Sequence, residues 1–153
     1  NAKDLVPNLC IGTDLMAGFP GETNDDFEQT CRTFLEQPFA YCHVFTFSER
    51  SGTPASKADD QVPMDERRRR SDRLRILSAT KRHDFYEAQV GSEARILIED
   101  PKNGCWPAYT ENYVRVLVRS ERLDLANRLA TVRLVRARPE YVEAELLEVL
   151  DQT

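Results

Sequence analysis

Gly12-Thr13-Asp14-Leu15-Met16-Ala17 runs directly into Gly18-Phe19-Pro20-Gly21-Glu22-Thr23 and then into Asn24-Asp25-Asp26-Phe27. An apolar stretch of strand length, a tight Gly/Pro turn and an acidic helix start leave little freedom. The segment reads as strand, loop, helix, the way an α/β fold builds the rim of a site. Asn24 is the expected N-cap, and Asp25, Asp26 and Glu28 suit the positive end of the helix dipole. Phe27, Cys31, Phe34 and Leu35 fall at i, i+4, i+7 and i+8 and predict one apolar face. Pro38 stops the helix, and Tyr41–Phe47, aromatic and β-branched, reads as a second strand. The unit is βαβ, so its strands are expected to be parallel with a right-handed crossover. Residues 11–17 are apolar at most positions, as expected of a parallel strand covered on both faces.

Ser48, Ser51, Gly52, Pro54, Ser56 and Pro63 mark a loop over residues 48–63. Asp65 and Glu66 then open a long helix reaching about Gln89, with Leu74, Leu77, Phe85 and Ala88 roughly on one side. Arg67 to Arg70 form a run of four. The plain expectation is a solvated face pairing with nearby acids, and the functional alternative is a contact with RNA phosphate.

From Gly91 onward the period changes to two. Arg95–Glu99 reads as a strand and Asp100-Pro101-Lys102-Asn103-Gly104 as a turn. Trp106–Tyr109, Tyr113–Val118, Ala130–Val135 and Tyr141–Val149 follow as strands. Short strands at close spacing predict a small antiparallel β-barrel of the OB kind. Alternation turns Val114, Val116 and Val118 to its core and leaves Tyr113, Arg115 and Arg119 outside, an aromatic and two guanidiniums of the sort that stack bases and contact phosphates. Tyr109 and Trp106 extend that face or, for Trp106, plug the barrel, and Arg133, Arg136 and Arg138 are further candidates. The fold class is therefore α/β plus β: a βαβα segment followed by a small barrel. The segments are 1–63, a linking helix at 64–88, and 89–153.

The net charge of −5 argues against a generic polyanion binder, so nucleic-acid binding needs a local patch. No apolar run approaches the roughly 20 residues that span a bilayer. Cys10, Cys31, Cys42 and Cys105 lie 21, 11 and 63 residues apart and form no CxxC pair. They read as buried thiols of a protein in a reducing cytoplasm. His43, inside a strand with no Cys or His at ligand spacing, is expected to be packed rather than metal-bound.

Gly-Phe-Pro-Gly-Glu-Thr after the first strand and Phe-Ser-Glu-Arg-Ser-Gly-Thr-Pro-Ala (47–55) after the second occur in a telling order. An arginine-rich helix ending in Phe85-Tyr86-Glu87-Ala88-Gln89-Val90-Gly91 comes next. Together they resemble the C-terminal part of the radical S-adenosylmethionine (SAM) methylthiotransferases. The last sixty residues resemble TRAM, the small RNA-delivering barrel of those enzymes. Tyr109-Thr110-Glu111-Asn112-Tyr113-Val114-Arg115-Val116 looks most like the branch acting on threonylcarbamoyladenosine in tRNA.

The resemblance implies that the intact enzyme adds a methylthio group to C2 of that base in the anticodon stem-loop, using SAM and two 4Fe-4S clusters. It places Met16, Ala17 and Gly18 beside the SAM adenosine, with Phe45 as a stacking candidate and Arg50 as the polar one. Tyr109, Asn112, Tyr113, Arg115, Arg119 and Arg133 are the expected RNA contacts. The family holds one cluster with Cys-x3-Cys-x2-Cys and a second with three N-terminal cysteines, and this chain has neither set. It is therefore expected to bind no cluster and to be inactive alone, as an excised fragment that self-associates through its exposed barrel strands. A ribosomal-protein aspartate methylthiotransferase and a stand-alone RNA-binding module are the alternatives.

Overall fold

The computed structural model describes residues 2–150; residue 1 and residues 151–153, the outer ends of the first and last segments, lie outside the description. After a short helix α1 (Ala2–Leu5) come β1 (Gly12–Ala17), α2 (Asn24–Glu36), β2 (Tyr41–Thr46), a 3-10 turn (Pro54–Lys57) and α3 (Met64–Glu87). Five strands follow: β3 (Glu93–Ile98), β4 (Trp106–Thr110), β5 (Arg115–Val118), β6 (Leu129–Ala137) and β7 (Val142–Val149). The chain divides into two compact units, residues 11–82 and residues 83–153 together with 1–10.

In the first unit β1 and β2 pair in parallel, Gly12 opposite Tyr41 through Ala17 opposite Thr46. The connection through α2 is the expected βαβ unit. The cap of α2 is Thr23 rather than Asn24. Thr23 Oγ1 accepts from Asp26 N, and Asp26 Oδ2 accepts from Thr23 N, a reciprocal capping box. Phe27, Cys31 and Phe34 are buried, while Leu35 is exposed. Lys81 Nζ donates to the carbonyls of Phe34, Leu35 and Gln37, supplying a cation where the last helical carbonyls lack partners.

Both strands alternate, which corrects the expectation of cover on both faces. Leu15, Ala17 and Val44 turn toward the helices and join Phe27, Cys31, Leu74 and Leu77 in the core, and Cys42, on the same face, is buried as well. Asp14, Met16, His43 and Phe45 turn the other way and are exposed. His43 is thus not packed in the interior; its ring meets Tyr41 edge-on at 5.3 Å.

The second unit is a closed barrel in the order β3-β4-β5-β7-β6, with β6 returning to β3. It is mixed rather than antiparallel, because β5 and β7 run parallel (Val116 opposite Val142). The reason is arithmetic: directions cannot alternate at every seam of a ring with an odd number of strands. Ile96, Ile98, Ala108, Val114, Val116, Val118, Leu125, Val132, Leu134 and Val142 fill the core. Trp106 is buried among them, so it plugs the barrel and does not extend the outer face. Asn103 and Gly104 both take positive φ between Lys102 and Cys105, whose backbones exchange two hydrogen bonds, the two-residue hairpin that Asn-Gly favours.

Candidate functional site

The strand β1 ends at Ala17 and the loop after it turns through Gly18 and Gly21, both at φ +80°. Opposite it, β2 ends at Thr46. Phe47 N donates to Ala17 O at 2.9 Å, keeping the two strand ends in step as the loops diverge. On the bare face, Met16 and Phe45 are register partners and are 53% and 52% exposed. Above them Phe19 from the first loop meets Phe47 from the second, ring centroids 5.1 Å apart.

These residues, with Thr46, Ser48, Arg50, Thr53 and Ala55, enclose an open groove of about 360 Å³. Apolar walls with a few polar groups at the mouth are the makeup of small-ligand sites. The Arg50 guanidinium is exposed and takes no ion pair among the described residues, so it is uncommitted. Met16, Phe45 and Arg50 are thus brought together. Ala17 is not: its side chain is buried on the opposite face, against the helices. Gly18 is buried, its backbone N donating to Glu22 Oε2 at 2.9 Å. Phe19 and Thr53 also line the groove, and each stands in one of the two loop motifs, which mark the loops without marking which side chains face the groove.

On the barrel, register places Leu129, Leu97, Tyr109 and Arg115 side by side across β6, β3, β4 and β5, all exposed. An aromatic ring between an aliphatic and a guanidinium is a platform on which a flat base can stack. An outward leucine carries no polar signal, so the sequence does not mark Leu97 or Leu129 as part of this face. The next turn, Glu111-Asn112-Tyr113, presents Tyr113 at 76% exposure with φ 61°, a conformation rare for so bulky a residue. Asn112 is half-buried and engaged. Its amide donates to Asn8 O at 3.0 Å and Gln89 Oε1 at 3.2 Å, and its oxygen accepts from Thr110 Oγ1 at 2.6 Å.

The arginines fall into two groups. Arg133 pairs with Glu93 and Arg138 with Glu143, each at 3.0 Å. Arg115 and Arg119 have no ion pair among the described residues. Arg119 lines a second groove of about 340 Å³ with Val135, Arg138, Glu143 and Glu145.

No family model matches the chain. It is 30% identical over 155 residues to the threonylcarbamoyladenosine tRNA methylthiotransferase MtaB of Bacillus subtilis, covering 97% of this chain and 34% of that protein. The MtaB of Rickettsia prowazekii is 39% identical over 114 residues, 74% of this chain and 26% of that protein. The tRNA-2-methylthio-N(6)-dimethylallyladenosine synthase of Pseudomonas paraeruginosa is 36% identical over 152 residues, 95% of this chain and 33% of that protein. The chain spans about a third or less of the length of these curated relatives. They support the methylthiotransferase family.

Two kinds of methylthiotransferase stand among the relatives, so the names do not single out a branch. Among the described residues no group of three or more His, Cys, Asp or Glu could hold a metal ion. Cys31 and Cys42 are buried, and burial pushes both thiols up from their ordinary pKa, whereas Cys10 and Cys105 are only partly buried, which corrects the expectation of four buried thiols. The described residues bring no such ligand set together, so they do not fit an iron–sulfur cluster, which takes three or four thiolates. No helix among them is long and apolar enough to cross a membrane.

Proposed function

We propose that the chain is part of a tRNA methylthiotransferase that acts at C2 of threonylcarbamoyladenosine in the anticodon stem-loop. The first unit supplies a piece of the wall of the SAM site, and the barrel, read as a TRAM domain, docks the RNA. The observation that carries this reading is the meeting of Met16, Phe45 and Arg50 at the carboxyl ends of two parallel strands, within a chain whose relatives are named for tRNA methylthiolation. Strand ends of that kind are where α/β barrels build their sites.

The residues present fit part of a SAM site. Phe45 and Met16 offer apolar surface to an adenine, and Arg50 offers two N–H donors to a carboxylate. When bound in the intact enzyme, SAM supplies the radical and the methyl group. The work of this chain's residues is to bind, orient and exclude water. On the barrel, Tyr109 and Tyr113 present stacking surfaces, and Arg115 and Arg119 neutralise phosphates. The MtaB relatives favour threonylcarbamoyladenosine; the synthase relatives favour a dimethylallyl-bearing adenosine as the second reading.

The test is binding of this chain to anticodon stem-loops that are unmodified, threonylcarbamoyl-modified or dimethylallyl-modified, across a salt series. Saturable binding that weakens with salt is expected. Arg115→Ala and Arg119→Ala should each reduce the log–log salt slope by about 0.7. A preference for one modified loop selects the branch. Absence of binding at low salt removes the docking role from the barrel.

A further inference from the structure

Two arginines of α3 are buried where the charge pattern leads one to expect a solvated face: Arg67 is 3% exposed and Arg70 4%. They stand one helical turn apart, and each reaches a different rim loop. Arg70 Nη1 donates to Glu22 Oε1 at 2.6 Å and to Glu22 O at 2.9 Å, Nη2 to Asn24 Oδ1 at 2.8 Å, and Nε to Glu66 Oε1 at 2.9 Å. Glu22 passes the contact on, since its other oxygen accepts the backbone N–H of Gly18, the first residue after β1.

Arg67 holds the other loop. Its Nε donates to Val62 O at 2.6 Å, Nη1 to Phe47 O at 3.4 Å, and Nη2 to Glu49 Oε1 at 3.0 Å and Gln61 Oε1 at 2.9 Å. Its guanidinium lies 5.1 Å from the Phe47 ring centroid, and Phe47 in turn meets Phe19. Gly18 packs directly on the Arg67 stem, so the two anchors touch the same point of the first loop. No residue of α3 lines the groove between the loops.

We infer that Arg67 and Arg70 are positioning residues that set both rim loops around the Met16–Phe45–Arg50 groove, so that the groove's affinity for an adenosine ligand depends on a helix that does not line it. The inference rests on the reading of that groove as part of the SAM site. Each guanidinium makes four directed donations in a planar fork. A lysine offers three donors from one point and cannot reproduce that fork. Retaining the charge while removing the fork therefore separates positioning from simple ion pairing.

The experiment uses the intact enzyme, with S-adenosylhomocysteine as the probe in equilibrium binding and SAM and tRNA in steady-state kinetics. Arg67→Lys and Arg70→Lys are each expected to weaken the probe about tenfold, consistent with losing charge-assisted hydrogen bonds at the rim. The KM for SAM should rise alongside, with the KM for tRNA unchanged. Arg75→Ala, which removes an exposed pair with Asp72 on the same helix, should change neither. Phe45→Ala tests the groove separately.

If Phe45→Ala weakens the probe and both lysine variants, folded and with lowered thermal midpoints, bind it normally, the arginines are structural and the inference is overturned. If Phe45→Ala has no effect, the reading of the groove itself fails. Should the lysine variants not fold, Glu22→Gln decides. It keeps the side-chain volume but weakens the Arg70–Glu22–Gly18 relay, so a loss of probe affinity upholds the inference and normal affinity overturns it.

Discussion

Gly18 shows how far one residue is constrained by what packs on it. It sits at φ +80°, and a Cβ built there would lie 2.3 Å from Arg67 Cγ and 2.9 Å from Arg67 Cβ. Gly52 has a similar φ of +85° but faces open space. Gly52→Ala is expected to cost about 1 kcal/mol from backbone strain alone. Gly18→Ala adds steric overlap and should cost about 2 kcal/mol or more in chemical denaturation. Equal losses in the two variants would mean that Arg67 moves aside freely. The glycine's place in a turn was readable from Gly-Phe-Pro-Gly. Its neighbour was not, since Arg67 lies 49 positions away and nothing local marks it as buried.

At the scale of the element, α3 explains most of what the pattern missed. Its length and acidic start were legible. Its buried face was not, because that face is largely polar: Arg67, Arg70, Ser71 and Ser78 are buried with Leu74. Ser78 Oγ donates to Cys42 O and accepts from Cys42 N, and Ser71 shares a hydrogen bond with Thr46, so the helix reads the strand beside it by hydrogen bonds. A search for apolar periodicity passes over such a face and selects Ala88, which is exposed.

The first turn of the same helix makes stability depend on pH. Hydrogen bonds from Arg69, with Arg70 beyond, hold the Glu66 carboxyl down to about 2. A depressed carboxyl contributes stability that is complete above its ordinary value of 4.5 and is lost as pH falls through the folded value. Glu66→Gln should therefore be less stable than the parent chain at neutral pH, with a difference that narrows between about pH 4.5 and 2. Urea midpoints at pH 7, 4, 3 and 2 check this, and a gap independent of pH would refute it. Asp26 and Glu28, lowered by Thr23 and Arg73, add to the slope in both proteins and cancel in the comparison.

At the scale of the whole molecule, the two units handle their sheet edges differently. The barrel closes on itself and leaves no open edge, and its strands were largely legible because alternation there is clean, with Val114, Val116 and Val118 inward. Its parallel seam was not legible, since no local pattern distinguishes the directions of strands distant in sequence. In the first unit, β1 and β2 have only each other as partners among the described residues, and one face of the pair is bare.

Unpaired edges and exposed apolar side chains invite a second copy. Residues 11–17 and 41–47 are therefore expected to drive self-association of this chain at micromolar concentrations. Phe45→Asp should weaken that association about tenfold or more, because burying a phenylalanine is worth about 1.5–3 kcal/mol. Sedimentation equilibrium over a concentration series measures both. A strictly monomeric chain at high micromolar concentration would show that the bare face and edges are tolerated by water. The case for missing neighbours around β1 and β2 would then lose its physical support.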